Sequence, residues 1–543
     1  INRYTLLMMP AHAYTARAMN ALFESPKHMK LWAAVFVLAL LLPWVTSAQS
    51  PAATKDLAGM LRAQLISAES HAHSSAALDW PTLRDFYLRR GYHSVWLNAT
   101  TYSPRAQQLL QTLWAASDEG LEPAAYHLSS IELKWGSESL AERASLELLL
   151  TDALARYSIH MQTGRLQPKA VDPDWYIEKP KVNAVHLLPQ LLAADDFTVA
   201  LSALKPSHIA YRRLRGALAQ HRQLQAEGGW PVIPSGPRLE LGSVHEQVAL
   251  LRARLKIEAD LLEAQPGDGV LFDETVGRAV KRFQQRHGIA SDGVVGPQTR
   301  AAMNVPIAKR IEQIKLNMER WRWLPKDLGK RHILVNTAGY ELTVMEGDES
   351  VLAMQVIVGQ PRRSTPTISG VMNSVVFNPT WTVPLTIAVE DLVPKQLHDP
   401  TYLQSLNIRV FDGYSADAAE LDPAEIDWRR VSKKHFPYRL VQDPGPGNSL
   451  GRIKFSFSNR FDIFLHDTPD RSLFAKHARA LSSGCIRVKQ PQQLANYLLR
   501  GKKTWTNDKI EETIASHETV AAGLSESLPI YLVYWTAWVD ADG

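Results

Sequence analysis

The sequence predicts a multidomain α+β protein, with a mostly helical N-terminal region, a small three-helix module and a C-terminal, mainly antiparallel β domain that carries an inserted capping subdomain. Three observations lead to this fold class. A chain of 543 residues has room for about three or four domains of ordinary size. Apolar residues recur at helical spacing in the first half. The C-terminal part instead contains short alternating runs separated by turn residues.

The composition is that of folded globular domains. The 60 Lys and Arg residues against 55 Asp and Glu residues give a net charge of +5, and 45% of the residues are hydrophobic. These values exclude a disordered chain, a collagen-like repeat and a polytopic membrane protein. The small basic excess is spread over the chain. It therefore predicts no nucleic-acid partner, although it suits loose attraction to an anionic polymer.

Residues 1–48 are interpreted as an N-terminal extension with an export signal. An apolar stretch runs from Leu31 to Val45, with Lys27 and Lys30 before it and small residues after it, which is the layout of a secretory signal peptide. The stretch is shorter than the roughly 20 residues that span a bilayer. We therefore expect an exported protein, with retention as a membrane anchor as the alternative.

The next region, residues 55–235, is predicted to be mostly helical. In its longest periodic segment, Leu140 to Met161, the Leu, Ala, Tyr and Ile residues fall on one face, and Gly164 follows the predicted helix end. The segment from Pro231 to Pro237 is rich in Pro and indicates a linker to the next domain.

Residues 244–305 have the pattern of a small helical module. One apolar helix face ends before Gly288. It consists of Phe272, Val276, Ala279, Val280 and Phe283. The pairs Asp292-Gly293 and Gly296-Pro297 predict turns, and Ile307 to Leu324 predicts a helix that leads into the following domain.

Residues 330–540 are predicted to form the β domain. Its short alternating runs predict strands. They are Ile333 to Val335, Tyr340 to Val344, Ala353 to Val358, Ser374 to Phe377, Ile453 to Phe457 and Ile530 to Tyr534, the last of which closes the sheet. Between about 385 and 440 the strand rhythm gives way to helical and polar sequence, which predicts the capping insertion.

Cys485 is the single cysteine of the chain, so it forms no internal disulfide and supplies no multi-cysteine metal site. It is either buried and inert or used for its reactivity. Small residues precede it, and His466 stands 19 residues earlier, at the end of a predicted strand from Phe461 to Leu465. An imidazole that accepts the thiol proton is the usual way to activate such a nucleophile. The amides of Gly484 and Cys485 are the expected oxyanion donors.

The segment from Ser482 to Arg487, with His466-Asp467-Thr468 upstream, resembles the catalytic motif of the L,D-transpeptidases. It differs from the commonest version in having Ser483 before the Gly-Cys pair, where many members have His, which leaves His466 as the better candidate base. His477 is the competitor. The resemblance also implies that the backbone carbonyl of Asp467, rather than its carboxylate, orients the imidazole.

Two upstream regions resemble other parts of the same kind of enzyme. Phe86 to Tyr92 and Tyr157 to Leu166 are similar to the scaffold domain of large Gram-negative L,D-transpeptidases, which are periplasmic. Ala279 to Ile289 and Asp292 to Thr299 are similar to a peptidoglycan-binding module, although the same pattern also fits a plain helical bundle that serves as a spacer. The resemblance therefore implies a periplasmic cell-wall enzyme.

The resemblance implies the reaction. A peptidoglycan tetrapeptide stem is cleaved before its terminal D-Ala, a cysteine thioester forms, and the side-chain amine of another stem resolves it to a 3-3 cross-link. Carbapenems would acylate the same thiol. The expected substrate-binding residues are Arg487, Ser483, Ser482, Trp381 and Tyr438. For Arg487 the alternatives are carboxylate binding and bracing of the loop, and for Trp381 and Tyr438 they are core packing and substrate contact.

Two other functions remain open from the sequence. Water instead of an amine would make the protein an L,D-carboxypeptidase, and an inactive catalytic domain would leave a non-catalytic wall-binding scaffold. The reaction needs no cofactor, and the histidines form no pair at metal-ligand spacing. The expected partners are peptidoglycan stem peptides and the inner membrane if the N-terminal segment is uncleaved. Other cell-wall synthesis enzymes are candidate further partners.

Overall fold

A computed structural model describes residues 6–8, 56–70, 78–98, 101–262 and 269–540. The predicted export signal, residues 1–48, lies outside the described residues apart from 6–8. Within the described ranges, no helix is both long and apolar enough to cross a membrane.

The N-terminal region is helical, as predicted. Its α-helices are α1 (Leu57–Ser70), α2 (Trp80–Arg89), α3 (Pro104–Trp114), α4 (Leu128–Lys134), α5 (Leu140–Thr163), α6 (Pro168–Val171), α7 (Ala184–Ala193), α8 (Phe197–Ser202) and α9 (Ile209–Ala226). Helix α5 is buried on nearly all sides from Leu146 to Ala155, because α1, α3, α4 and α7 surround it. The sequence predicts a single apolar face for this helix, so its central position is a finding of the structure.

Gly164 ends α5 with a φ of +72°. A β-carbon at this position would lie 2.4 Å from the indole nitrogen of Trp323. Glycine is therefore required both for the left-handed backbone and for the close approach of the next domain's helix.

The small module has three helices, α10 (Gln247–Ile257), α11 (Glu274–Arg286) and α12 (Pro297–Met303). The predicted apolar face of α11 is buried in the module's core. Asp273 caps α11 by accepting a hydrogen bond from the Val276 N–H (2.9 Å), which is a preferred N-terminal cap.

Helix α13 (Ile307–Arg322) connects the module to the β domain and is buried along most of its length. It shares an apolar core with the N-terminal region and the C-terminal strands, in which Trp175, Tyr211, Trp321 and Trp535 are buried. The helical region and the β domain are therefore packed together through a common core.

The β domain is a nine-stranded sheet with the strand order β12-β4-β13-β11-β10-β5-β14-β2-β3. Strand β3, at one end of this order, also pairs with β4, which is second from the other end. Its strands are β2 (Arg331–Asn336), β3 (Glu341–Glu346), β4 (Glu349–Gly359), β5 (Ile368–Phe377), β10 (Ile453–Phe457), β11 (Leu465–His466), β12 (Ala480–Ser482), β13 (Ile486–Val488) and β14 (Val520–Val533). Most pairs are antiparallel, while β11–β13, β12–β4 and β14–β2 are parallel.

Helices α17 (Pro491–Leu499) and α18 (Asn507–Ala515) follow β13, and apolar residues from both belong to the core of the sheet. A further strand pair joins β1 (Leu6–Met8) to β15 (Ala537–Val539). Short 3₁₀ helices cover Ala115–Glu119, Pro123–Tyr126, Pro361–Arg363, Pro423–Glu425, Trp428–Arg430 and Arg471–Ala475.

The predicted capping insertion forms a subdomain with its own core. Its helices are α14 (Leu385–Ile387), a π-helix (Ala388–Leu392), α15 (Val393–His398) and α16 (Tyr402–Ser405). It also contains a four-stranded sheet of β6 (Trp381–Thr382), β9 (Tyr438–Gln442), β7 (Ile408–Asp412) and β8 (Glu420–Leu421). The sequence predicts only helical and polar structure here, so the four-stranded sheet is a finding of the structure.

Candidate active site

His466 lies at the end of β11, and Cys485 directly precedes β13, the strand that pairs in parallel with β11. Strand β11 pairs in parallel with β13, and His466 is opposite Arg487. Cys485 comes two residues before Arg487. Paired residues project to the same side of a sheet, so the imidazole and Arg487 share one face. The thiol is near enough to Arg487 for that charge to lower its pKa. The predicted nucleophile thus lies two residues from the position that pairs with the predicted base.

Lys454 lies next to His466 on the other neighbouring strand. It is the partner of His466 in the antiparallel pair β10–β11, so Lys454, His466 and Arg487 lie side by side across three strands. The Lys454 ammonium is 4.2 Å from the centre of the Phe464 ring. The imidazole is thus placed between two cations. Sequence analysis missed Lys454, because only the register of the sheet brings it to the site.

His466 is buried, and its Nδ1 lies 2.5 Å from the carbonyl oxygen of Asp467. A carbonyl only accepts hydrogen bonds, so Nδ1 carries the proton and Nε2 is left as the basic nitrogen. Burial lowers the pKa of His466 to about 3, and the charge of Arg487 acts in the same direction. The imidazole is therefore neutral at neutral pH and can accept a proton.

The carboxylate of Asp467 points away from the imidazole. Its Oδ2 accepts a hydrogen bond from the Arg452 N–H (2.9 Å), and its Oδ1 pairs with Arg471 (3.1 Å). Only the backbone of Asp467 contacts His466, as the family resemblance implies.

Cys485 is half-buried, and its thiol is 3.8 Å from the carbonyl oxygen of Asp462. Burial raises the pKa of the Cys485 thiol to about 11, while the charges of Lys454 and Arg487 act in the opposite direction. The thiol and the imidazole are therefore both neutral in the resting protein. Proton transfer from sulfur must accompany attack on a substrate.

The loop before Cys485 is held by its own hydrogen bonds. The Ser482 hydroxyl donates to the Cys485 carbonyl (2.6 Å) and accepts from the Gly484 N–H (3.2 Å). Gly484 has a φ of +121°, a conformation that favours glycine. Two expectations change as a result. Ser482 is buried and shapes the loop instead of facing substrate, and the Gly484 amide is already engaged.

The amide of Cys485 is the remaining oxyanion donor at this loop, because its N–H has no hydrogen-bond partner among the described residues. The Thr365 hydroxyl donates to the carbonyl of Gly484 (2.6 Å). It also accepts from the Gly359 N–H (2.9 Å). Thr365 therefore fixes the peptide unit that carries the Cys485 N–H.

Ser483 connects the nucleophile loop to the capping subdomain. Its hydroxyl accepts a hydrogen bond from Arg363 (3.0 Å). The same guanidinium donates to Asp391 (3.0 Å) and forms an ion pair with Glu390, both in the π-helix of the subdomain. Arg363 lies 120 residues before Ser483, so no local sequence pattern could have identified it.

The other predicted substrate residues are engaged in contacts within the protein. Arg487 contacts Asp470 (3.3 Å) and Thr468 (3.4 Å), which favours bracing of the site over carboxylate binding. Trp381 and Tyr438 pack against the core of the capping subdomain, so core packing is the alternative that the structure favours for both.

His477 is exposed and contacts the carbonyl of Gly288 in the small module. It therefore bridges two domains and does not orient the nucleophile. Among the described residues, no group of three or more His, Cys, Asp and Glu side chains is arranged to hold a metal ion.

Three family models match the chain. Residues 81–218 match the "Scaffold domain", residues 244–303 the "Putative peptidoglycan binding domain" and residues 330–506 the "L,D-transpeptidase catalytic domain". The chain therefore combines these three domains in the order that the sequence predicts. The catalytic-domain match contains both His466 and Cys485.

A curated protein of Haemophilus influenzae, named "Putative L,D-transpeptidase", is 36% identical over 241 residues, which is 44% of this chain and 48% of that protein. The aligned part of the chain thus spans about half the length of this relative.

Two solved structures also match. An L,D-transpeptidase from Mycobacterium smegmatis is 13% identical, covers 38% of this chain and 58% of its own, and has a TM-score of 0.18. The L,D-transpeptidase from Stackebrandtia nassauensis is 14% identical, covers 56% and 96%, and has a TM-score of 0.21.

Proposed function

We propose that this chain is a periplasmic L,D-transpeptidase that joins peptidoglycan stem peptides by 3-3 cross-links through a thioester on Cys485. The observation that carries the proposal is the position of Cys485, two residues before the strand partner of His466 and inside the matched catalytic domain. The peptidoglycan-binding domain supports the cell wall as substrate. The predicted signal peptide supports export.

The first half of the reaction is acyl transfer to sulfur. The Nε2 atom of His466 takes the thiol proton as the sulfur of Cys485 attacks the carbonyl carbon before the terminal D-Ala. The negative charge that develops on the substrate oxygen is received by the Cys485 N–H. When the C–N bond breaks, His466 returns the proton to the amine, and D-Ala leaves.

The second half resolves the thioester. The side-chain amine of another stem peptide loses a proton to His466 and attacks the thioester carbonyl, and the C–S bond breaks. The sulfur then takes the proton back, so that the free enzyme is regenerated and the products are a cross-link and D-Ala. The neutral resting state of His466 suits this role, because it can act as base in both halves.

Positive charge beside the sulfur supports the first half. Lys454 and Arg487 flank the imidazole in the sheet register, and both charges lower the pKa of the buried thiol against the effect of its burial. They stabilise negative charge as it forms on sulfur, without requiring a protonated histidine.

The test uses the purified protein and disaccharide tetrapeptides from peptidoglycan, with products identified by mass spectrometry. We expect D-Ala release, a thioester on Cys485 and a dimer joined through two diamino residues. Cys485→Ala should abolish all three. D-Ala release without a dimer would instead identify an L,D-carboxypeptidase, and a wild-type protein that forms no thioester would be a non-catalytic wall-binding scaffold.

A further inference from the structure

A groove lies next to the active site, where the helical region meets the catalytic sheet. Its volume is about 580 Å³. One wall is formed by residues 167–169 and 175–179, and the other by residues 368–369 and 459–461. None of these residues belongs to the catalytic motif.

The two walls are fixed to each other by hydrogen bonds. The Tyr176 N–H donates to the carbonyl of Thr367 (2.7 Å), and the Thr367 N–H donates to the carbonyl of Asp174 (2.9 Å). The Ser364 hydroxyl also donates to the Asp174 carboxylate (2.5 Å). The groove is therefore preformed, which reduces the entropy that a bound chain would lose.

The groove leads to the nucleophile. Asn459 accepts hydrogen bonds from the N–H groups of Phe461 (3.0 Å) and Ile463 (3.1 Å), which fixes the loop between them. The intervening residue, Asp462, has its carbonyl oxygen 3.8 Å from the sulfur of Cys485. The residue that contacts the thiol thus directly follows Phe461 in the wall of the groove.

Two cations in the groove are held by aromatic rings. The Lys169 ammonium lies 4.9 Å from the centre of the Tyr176 ring. The Arg460 guanidinium lies 4.6 Å from Tyr176 and 4.8 Å from Phe461. Both side chains are exposed, and neither forms an ion pair within the described part of the chain. Their positions are fixed by cation–π contacts, while their charges remain available to a ligand.

The other charged residues of the groove do not neutralise the charges of Lys169 and Arg460. Lys179 donates to the carbonyls of Gly164 (3.2 Å) and Leu166 (3.0 Å), so it is engaged within the protein. Glu178 is the single acidic residue among those that line the groove. The lining is therefore net positive.

We propose that this groove is the binding site for the acceptor peptide, a carboxylate-bearing stem whose acid groups pair with Lys169 and Arg460. The inference rests on the proposed function. The acceptor must reach a thioester that already holds the donor. The capping subdomain is linked to the Ser483 side of the nucleophile loop, whereas the groove opens on the Asp462 side. The two peptides can therefore approach from different sides.

The experiment measures binding, so it does not depend on turnover. The probe is a stem tripeptide, which has the acceptor amine but no terminal D-Ala and cannot acylate the enzyme. Its Kd is measured by calorimetry for Cys485→Ala with and without the double substitution Lys169→Gln and Arg460→Gln. We expect the double substitution to weaken binding roughly 3- to 10-fold, as for two partly exposed ion pairs, and less so at high salt.

Two controls make the result specific. The same tripeptide with its carboxylates converted to carboxamides should bind both proteins equally. Lys503→Gln, which removes an exposed cation outside the groove, should leave tripeptide binding unchanged. Unfolding midpoints establish that each variant is folded.

Equal tripeptide affinity with and without the double substitution would overturn the proposal. The proposal would also be overturned if the double substitution affected thioester formation from a tetrapeptide more than it affected tripeptide binding. The groove would then serve the donor. Failure of the wild-type protein to form a thioester would refute the proposed function, whereas the binding result would still decide whether the groove recognises carboxylates.

Discussion

The hydroxyl of Thr365 donates a 2.6 Å hydrogen bond to the carbonyl of Gly484, the residue before the nucleophile. The C=O of Gly484 and the N–H of Cys485 belong to one planar trans peptide unit, so they point in opposite directions. By holding the carbonyl, Thr365 turns the Cys485 N–H away from itself. A residue 119 positions earlier thus orients the proposed oxyanion donor.

Thr365→Val should therefore slow acylation of Cys485 about 10- to 100-fold, because a misdirected oxyanion donor loses much of its effect. Thr365→Ser keeps the hydroxyl and is the matched control. The measurement is the rate of thioester or β-lactam adduct formation by intact mass. Equal rates for Thr365→Val and the wild-type protein would contradict the assigned role.

His466→Gln should reduce acylation by about 10²- to 10⁴-fold, the usual contribution of a general base. His477→Ala should stay close to wild type in acylation, because His477 contacts Gly288 of the small module. Rates of β-lactam adduct formation compare the two. The opposite ranking would show that His477 is the base.

The rate of acylation should be independent of pH between about 5 and 8. The pKa of His466 is lowered to about 3 and that of Cys485 is raised to about 11, so neither group changes its protonation in this window. Activity should fall only as the imidazole becomes protonated, well below pH 5. The profile of β-lactam acylation tests this, and an acid limb near pH 6.5 would mean that His466 titrates like an exposed histidine.

Lys454→Met should slow acylation about 10-fold, which corresponds to a rise of one unit in the pKa of the thiol. Lys454→Arg keeps the positive charge and should retain most of the activity. Alkylation of Cys485 by iodoacetamide as a function of pH measures the thiol directly. An unchanged alkylation profile in Lys454→Met would show that the ammonium does not act on the sulfur.

Arg363→Gln should disconnect the capping subdomain from Ser483, since Arg363 bonds to Ser483 and Asp391 together. We expect cross-linking of stem peptides to fall roughly 10-fold, with a smaller effect on acylation by a small β-lactam. Arg362→Gln is the control, as Arg362 is an exposed neighbour. Equal losses with both substrates would argue that Arg363 supports the fold instead of the cap.

Much of the fold could be predicted because it depends on local pattern. The helical state of α5, the period of α11, the glycine at 164 and the alternation of the sheet strands are properties of neighbouring residues, and the structure contains each of them. The predicted strand before His466 is an exception. In the structure this strand is only two residues long, Leu465–His466. It is short because the Asn459 side chain donates a hydrogen bond to the Ile463 carbonyl in the preceding loop.

The sequence by itself determined the domain order and the class of each domain and predicted the pair His466 and Cys485, since periodicity and motif spacing are read within short windows. Only the tertiary structure decided what surrounds that pair. Lys454, Arg363 and Thr365 reach the site from distant segments. Strand register and side-chain contacts between remote parts of the chain are set by packing of the whole sheet, and no local pattern encodes them.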